Sequence, residues 1–515
     1  MARRPRNART VDTPPARPWI ALTRAATMDA SVERVRGACD VVIGPGDGTL
    51  TRARAGVLLL VTSLVVGCGA PLPSPSSAAP MATPAPASET PVTSPTAPSA
   101  AGLDWPVYHR DAARTGVDPA FPMPRAPAVA WSATLDGAVY GQPIVVGGHV
   151  IAATEGDSVY ALDPADGRIL WVRNVGTPVS RSTLPCGNID PLGITSTAAF
   201  DAAADTVFVV AEVSGPQHVL VALDPAAGTV RWTRRVDLDG EDPTTHQQRA
   251  ALAVANGYVY IGFGGLAGDC GQYTGKVVGV PVSGQGATIA YRVPVQREGA
   301  VWATGGPVVD AAGSLFVSTG NGSSTTTWDG SDSVLKLTPG LELLSRFAPS
   351  TWAEDNAQDA DLGSLSPVLV PGGWVFIAGK SGTGYVLRQG DLGGIGGQVS
   401  SGDACRAFGG SAQDRGTIYL PCTDGIRSVS VGSDGTFRIG WHTGTGANGP
   451  PTVGREAVWT VATSSGTLFA LDAGSGGELA RVDLGAVPHF ASPTLWGGLV
   501  LVGTMNGVTA VHAAP

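Results

Sequence analysis

The feature that most constrains this chain is a segment that keeps returning along residues 140–512. One copy runs from Val150 through Tyr160-Ala-Leu-Asp163 and a Pro-Ala-Asp-Gly turn to Trp171. A second reads Val219-Leu-Val-Ala-Leu-Asp-Pro-Ala-Ala-Gly-Thr-Val-Arg-Trp232, and a third ends in Phe469-Ala-Leu-Asp472. Each is a short apolar run, a turn, a second run ending in Ala-Leu-Asp, a glycine turn and a third run that often ends in Trp. Several short strands in a repeat of about 40–45 residues predict an all-β fold, an eight-bladed β-propeller. Seven blades are the alternative, because the middle copies are degenerate. Apolar runs bounded by turn residues place seven repeats at 141–175, 192–236, 249–294, 302–347, 363–398, 406–442 and 449–483. An eighth begins near Ala491 and has only two clear strands, 499–503 and 508–512. Residues 128–135 form a strand with no repeat of their own. Joined to the last blade, that strand closes the ring and removes two exposed sheet edges.

The repeat also explains its own residues. Asp163-Pro164…Gly167 and Asp224-Pro225…Gly228 are turns, with Pro fixing φ and Gly accepting a positive φ. Trp171 and Trp232 end the third runs and are expected to pack between blades rather than to touch a ligand. The 71 glycines and only 15% charged residues suit an all-β chain with many tight turns.

Charge is unevenly spread. Residues 1–54 hold ten Arg against five acids, and the remainder carries 23 basic and 37 acidic residues. An acidic body has no general attraction for nucleic acid, so nucleic acid is not expected as a partner. Residues 51–68 contain two arginines, an apolar run of about a dozen residues and Gly67-Cys68. The run is short for a membrane span and is built like a secretory signal. Val65-Val66-Gly67-Cys68 resembles a bacterial lipobox, which implies acylation of Cys68 and a membrane tether. Residues 1–50, Arg-rich and without pattern, are read as an over-called or disordered extension. Residues 69–103 are almost wholly Pro, Ala, Ser and Thr and are read as a disordered linker. Residues 104–515 are the propeller, expected as an extracytoplasmic monomer on the cell envelope.

Beyond Cys39 and Cys68, four cysteines remain. An even number in an exported domain predicts two disulfides. Of the three pairings, Cys186–Cys270, between adjacent repeats, and Cys405–Cys422, within one repeat, are favoured. The sparse His (7) and the absence of closely spaced Cys pairs argue against a zinc site.

The Ala-Leu-Asp-x-x-x-Gly-x-x-x-Trp repeat resembles the pyrroloquinoline quinone (PQQ)-like propeller superfamily, over roughly residues 104–513. Asp104-Trp-Pro-Val-Tyr-His-Arg-Asp-Ala-Ala-Arg-Thr-Gly116 is similar to the segment that often leads into it. The superfamily includes quinoprotein alcohol dehydrogenases and cofactor-free outer-membrane assembly lipoproteins. The dehydrogenase resemblance implies Trp302 as a stacking floor for the quinone and Lys380 as its basic contact. It implies Asn321 as a calcium ligand and Asp355 as the catalytic base, with Asp269 the substitute for the family's calcium-binding Glu if its loop is rearranged. Ordinary readings stand beside these: inter-blade packing for Trp302, a left-handed turn at Asn321, a salt bridge for Lys380 and a solvated loop for Glu354, Asp355, Asp359 and Asp361. The chain also departs from the dehydrogenases. Cys186 stands alone where they carry an adjacent Cys pair, the Arg that follows that pair is not evident, and no Glu occurs in 264–270, where a calcium-binding Glu is expected. No Cys-x-x-Cys-His haem motif is present. His246-Gln247-Gln248-Arg249, beside a strand start, is a second candidate for the channel mouth.

Three readings follow. The first is a tethered propeller that binds a small molecule or protein through a degenerate central site. The second is a PQQ- and Ca²⁺-dependent dehydrogenase acting on an alcohol or sugar. The third is an envelope protein-assembly lipoprotein that binds extended peptides at blade edges.

Overall fold

The structure, a computed structural model, describes residues 104–514. The expected extension, signal, Cys68 and linker lie outside the described residues. Eight antiparallel sheets form a ring, one per repeat, so the eight-bladed count holds. Blades 1 to 7 comprise residues 144–174, 199–235, 246–292, 308–348, 368–403, 412–442 and 452–483. Blade 8 combines Thr494–Trp496, Leu499–Thr504 and Gly507–His512 with the early strand Ala128–Thr134. That strand pairs antiparallel with the last one, Trp131 facing Ala510 and Ala133 facing Val508. One continuous apolar cluster runs across this seam, from Trp459 in blade 7 through Val500 and Val508 to Val150 in blade 1. Within a blade the second and third strands are buried along almost their whole length, and the outermost strand alternates exposed and half-buried residues.

One boundary differs from the sequence expectation. Blade 5 ends in Ser400–Asp403, and Gly394–Ile395 instead pairs parallel with Leu343–Ala348 of blade 4. Gly393, Gly394 and Gly396 all have positive φ, which turns the chain back onto the neighbouring blade.

The recurring Trp and the recurring Gly turn meet across blade boundaries. Trp131, on the outer strand of blade 8, lies on Gly167 of blade 1, and Trp171 of blade 1 lies on Gly228 of blade 2. Trp232 lies on Gly284 of blade 3, and Trp441 of blade 6 on Gly476 of blade 7. A methyl group added at Gly167, Gly228 or Gly476 would come within 2.4–2.5 Å of the indole. The indole N–H donates to the first turns of the same loops: Trp131 to the Pro164 carbonyl (2.8 Å), Trp171 to Pro225 (3.1 Å) and Trp441 to Ala473 (3.0 Å). Glycine is therefore required twice at these turns, for its positive φ and for the flat contact.

The segment 104–121 passes under the ring. Trp105 bridges to Val145 of blade 1, the Ala112 carbonyl accepts from Val309 of blade 4, Thr115 from Gln413 of blade 6, and Val117 bridges to Val453 of blade 7. Arg114, buried, donates to the Leu252 carbonyl of blade 3 (2.8 Å). His109 is fully buried, with Gln142 on its backbone N–H (2.8 Å) and Ser492 on its ring (3.1 Å). The segment that resembles a family leader is thus the floor of the axial channel.

Gly228→Ala tests the indole contact. Gly215, also at positive φ (90°), has nothing within 4 Å of an added methyl. Gly215→Ala is expected to cost the backbone term alone, about 1–2 kcal/mol. Gly228→Ala should lose a further ~1–3 kcal/mol from the clash with Trp171, read as a lower urea midpoint. Equal midpoints for the two variants would contradict the contact.

Candidate functional site

Each blade enters its innermost strand from a connector that crosses the top of the ring. In every blade the residue four positions before that strand (in blade 3 the strand Ala253–Ala255) lines the axial cavity. In order these are Tyr140, Thr195, Arg249, Thr304, Ser364, Phe408, Asn448 and Phe490. Two residues further along the connectors stand Gln142, Thr197, Ala251, Gly306, Ser366, Gly410, Pro450 and Ser492. The small members leave room for Tyr108 and His109 of the floor, whose rings stack at 4.1 Å; an added methyl at Gly410 would lie 2.6 Å from the Tyr108 hydroxyl.

Above this floor is a cavity of three lobes, all of which touch His489 and Phe490. The first, about 90 Å³, is bounded by Tyr108, Gln142, Thr195, Thr197, Arg249 and Thr304. The second, about 170 Å³, lies against Phe408, Cys422, Asn448 and Thr463. The third, about 230 Å³, is bounded by Arg249, Asp269, Trp302, Lys380 and Phe408.

Trp302 sits in the connector to blade 4, held by the Val301 N–H on the Phe263 carbonyl (2.9 Å). Gly264 and Gly320 pack against its ring, where added methyls would lie 3.3–3.4 Å from the nearest ring atoms. Arg249 and Lys380 each place their charge 5.5 Å from its centroid, within cation–π range. Lys380, in the turn of blade 5, pairs with Asp359 and with the buried Asp361, both at 2.6 Å. Burial raises Asp361 to about 6, against the pull of Lys380, and the two acids raise Lys380 despite its own burial. Arg249 is different. Its guanidinium lies 5.5 Å from Trp302 and 5.7 Å from Phe490 and has no ion pair or hydrogen bond among the described residues. Burial pushes it below its usual value, with Asp269 and Asp361 acting only at a distance. His489 beside it is lowered by burial and by the Arg249 charge. Phe490 is held at a positive φ of 70°, a strained backbone state for a bulky side chain, and such strain concentrates at functional sites.

Three of the residues implied by the dehydrogenase resemblance, Trp302, Lys380 and Asp269, meet in the third lobe. Asn321 and Asp355 lie outside the lining of all three lobes. Asn321 is on the turn after Leu315–Thr319, where its carbonyl accepts from Gly299 (2.8 Å). Asp355 is on the helix Trp352–Gln358, accepts from Thr351 (2.6 Å) and lies against the buried Asp332. The neighbouring Asn356 ties the 322–331 loop to that helix. Of the His246–Arg249 cluster, Arg249 alone reaches the cavity; Tyr108, Phe408, His489 and Phe490 were not anticipated.

Both favoured disulfides are formed, Cys186–Cys270 and Cys405–Cys422, the chemistry of an oxidising compartment outside the cytoplasm. The first joins the two rim loops that carry Asn188 and Asp269, and the second lies at the second lobe.

The lining fits a planar anionic group, with a flat indole and an unpaired guanidinium. It does not fit calcium. Asp269 accepts from the Tyr273 hydroxyl (2.6 Å), Asp359 and Asp361 are held by Lys380, and Asn321 is elsewhere. Among the described residues no group of three or more His, Cys, Asp or Glu is placed to hold a metal ion.

Behind Thr195 lies a buried acid cluster between blades 1 and 2. Glu155 accepts from the Gly193 N–H (2.7 Å), Glu212 faces His218 (3.3 Å), and neither oxygen of the fully buried Asp157 has a hydrogen-bond partner. Burial first, and the neighbouring acids second, raise Asp157 to about 8. The folded state therefore holds a proton there that the unfolded chain releases above its ordinary value near 3.8, and stability falls as pH rises through that window. Asp157→Asn should leave the melting temperature nearly unchanged at pH 4 and raise it relative to the parent at pH 8. Parallel pH profiles for the two proteins would contradict this.

Comparison with known proteins reinforces the fold. A sequence model of the outer membrane protein assembly factor BamB family matches residues 127–261. No curated protein matches the chain. Among solved structures, the quinohemoprotein alcohol dehydrogenase from Comamonas testosteroni superposes with a TM-score of 0.61 at 17% identity, covering 81% of this chain and 82% of that one. A europium-containing methanol dehydrogenase gives 0.61 at 15%, covering 78% and 90%. BamB from Moraxella catarrhalis gives 0.52 at 14%, covering 75% and 99%.

Proposed function

Taking the chain as the PQQ-like β-propeller that its repeats and ring make it, we propose that it is a binding protein. Its ligand is a small, flat, negatively charged molecule held at the axis, and the protein is tethered to the cell envelope through Cys68. One observation carries the reading: a half-buried guanidinium with no ion-pair or hydrogen-bond partner among the described residues stands in the axial cavity, flanked by Trp302 and Phe490. A partly desolvated cation with no counter-charge is stabilised by an anion that pairs with it. Arg249 presents a planar fork to a carboxylate, and the two aromatic rings offer faces to a ring system. Lys380 is spent on its two aspartates and sets the field of the lobe rather than the first contact. The match to an assembly-factor family lies over the seam strand, blades 1 and 2 and the start of blade 3, and supports the fold more than any one partner.

The test is a thermal shift on the purified protein with aromatic polycarboxylates, PQQ among them, with Ca²⁺ or with a chelator. The expected result is stabilisation by at least one such acid that Ca²⁺ does not alter. Arg249→Met should abolish that response while leaving the ligand-free melting temperature nearly unchanged, because the charge it removes has no partner in the ligand-free protein. Lys380→Ala is the poorer probe, since it strands Asp361 and should destabilise the fold by itself. Calcium-dependent stabilisation accompanied by dye-linked alcohol oxidation would establish the dehydrogenase reading in its place.

A further inference from the structure

Seven of the eight connectors bury the residue that precedes their cavity-lining position, Val139, Ile194, Ala303 and Ala407 among them. Blade 8 is the exception. Its residue there is His489, which stays exposed and, with Phe490, lines all three lobes. The backbone gives the reason. Successive residues of an extended chain point to opposite sides. The positive φ of Phe490 (70°) breaks that alternation, and both rings line the cavity, their centroids 4.0 Å apart and their planes at 71°. A titratable imidazole thus stands in the same two lobes, the first and the third, as the Arg249 guanidinium. The ring makes no hydrogen bond or ion pair among the described residues, and the charge that acts on it is that of Arg249.

We propose that His489 is a second, proton-dependent contact for the anion, which is shared between the Arg249 guanidinium and the His489 imidazolium and so enters the cavity together with a proton. The inference rests on the axial cavity being an anion site and names how that site is regulated. In the ligand-free protein, partial burial and the Arg249 charge hold His489 below its ordinary value of 6.5, so it is neutral at pH 7. An anion on Arg249 offsets that repulsion and adds an attraction, which raises the imidazole. Affinity therefore grows as pH falls from the ligand-bound value toward the ligand-free one, and the gain is absent above the former. The other groups around the cavity behave differently. Tyr108 and Tyr140 are raised by burial, and Lys380 is raised by its aspartates, so all three keep their protons. His109, in the floor, is lowered by burial to about 3 and stays neutral. Asp269 faces the third lobe with one oxygen on the Tyr273 hydroxyl (2.6 Å). Asp361, raised to about 6, titrates in the same range, but it is locked to Lys380 and acts on Arg249 at a distance.

The experiment is calorimetric titration of the full chain with naphthalene-2,6-disulfonate, beside naphthalene-2,6-dicarboxylate, at pH 5.5 and 7.5 in buffers of different ionisation enthalpy. The sulfonates hold their charge throughout, so any proton taken up comes to the protein. Binding is expected to be about threefold or more tighter at pH 5.5, with net proton uptake. His489→Gln should lose most of that difference, binding at both pH values about as the parent does at pH 7.5. His489→Lys, charged at both, should bind at pH 7.5 about as the parent does at pH 5.5. Binding without proton uptake, or a pH dependence unchanged in His489→Gln, would overturn the proton-linked contact and leave the anion site standing. Silence toward the disulfonate, the dicarboxylate and PQQ alike would overturn the binding reading and this contact with it.

Discussion

The ring depends on an indole lying flat on a glycine turn of the next blade. A blade alone is a small twisted sheet that cannot bury its own apolar faces and needs its neighbours to do so. The Trp171–Gly228 contact and its counterparts set how far one blade turns relative to the next, because the flat surface and the hydrogen bond to Pro225 fix both distance and angle. Where the contact is lost, other devices stand in. Tyr260 of blade 3 donates to the Pro339 carbonyl of blade 4 (2.8 Å), and Lys336 of blade 4 to the Gln389 carbonyl of blade 5 (3.0 Å). The pattern is strongest around the seam, from blade 8 to blade 3, where closure has to be held.

A ring built this way brings eight connectors to the axis at the same height, and the site is a property of that symmetry. Each repeat contributes one residue to the upper tier and one to the lower. The lower tier is mostly small, which lets the 104–121 segment seal the channel, and the upper tier is chemically varied. Tyr140, Thr195 and Thr304 make one side polar, Phe408 and Phe490 bring aromatic rings to the other, and Arg249, between Thr195 and Thr304, brings its guanidinium to 5.7 Å from the Phe490 ring. Of the two cations beside Trp302, one is neutralised and one is not, and that difference separates a structural charge from a binding one.

Much of the fold was legible in the sequence because the repeat is a packing code. The Trp, the Ala-Leu-Asp strand end and the Gly turn each answer to one contact, and the orphan strand 128–135 had nowhere to go but the last blade. The cysteine pairs followed from their places in adjacent and single repeats. Blade 5 was misjudged at its outer edge because a glycine-rich turn sends Gly394–Ile395 to the neighbour, which no apolar pattern records. The site was legible only in part. Trp302, Lys380 and Asp269 came through resemblance, whereas Phe490 and Tyr108 carried no motif. Residues that meet at an axis are far apart in sequence and unlike in chemistry. The signal that finds them is positional, the fixed offset of four residues before each innermost strand, and it emerges only when the strands are aligned on one another.

The strand that completes blade 8 has a further consequence during synthesis. Thr134 and its partner Gly507 are separated by about 370 residues. At roughly 5–20 residues per second, the ribosome would need some 20–75 s to deliver the second after the first. Through that interval Ala128–Thr134 is an unmatched edge awaiting its mate, open to the wrong neighbour, and Trp131 has only the turn of blade 1 to shelter it. Fidelity of assembly therefore falls to the earliest-made blade, which must hold the free end in place until the latest-made one arrives.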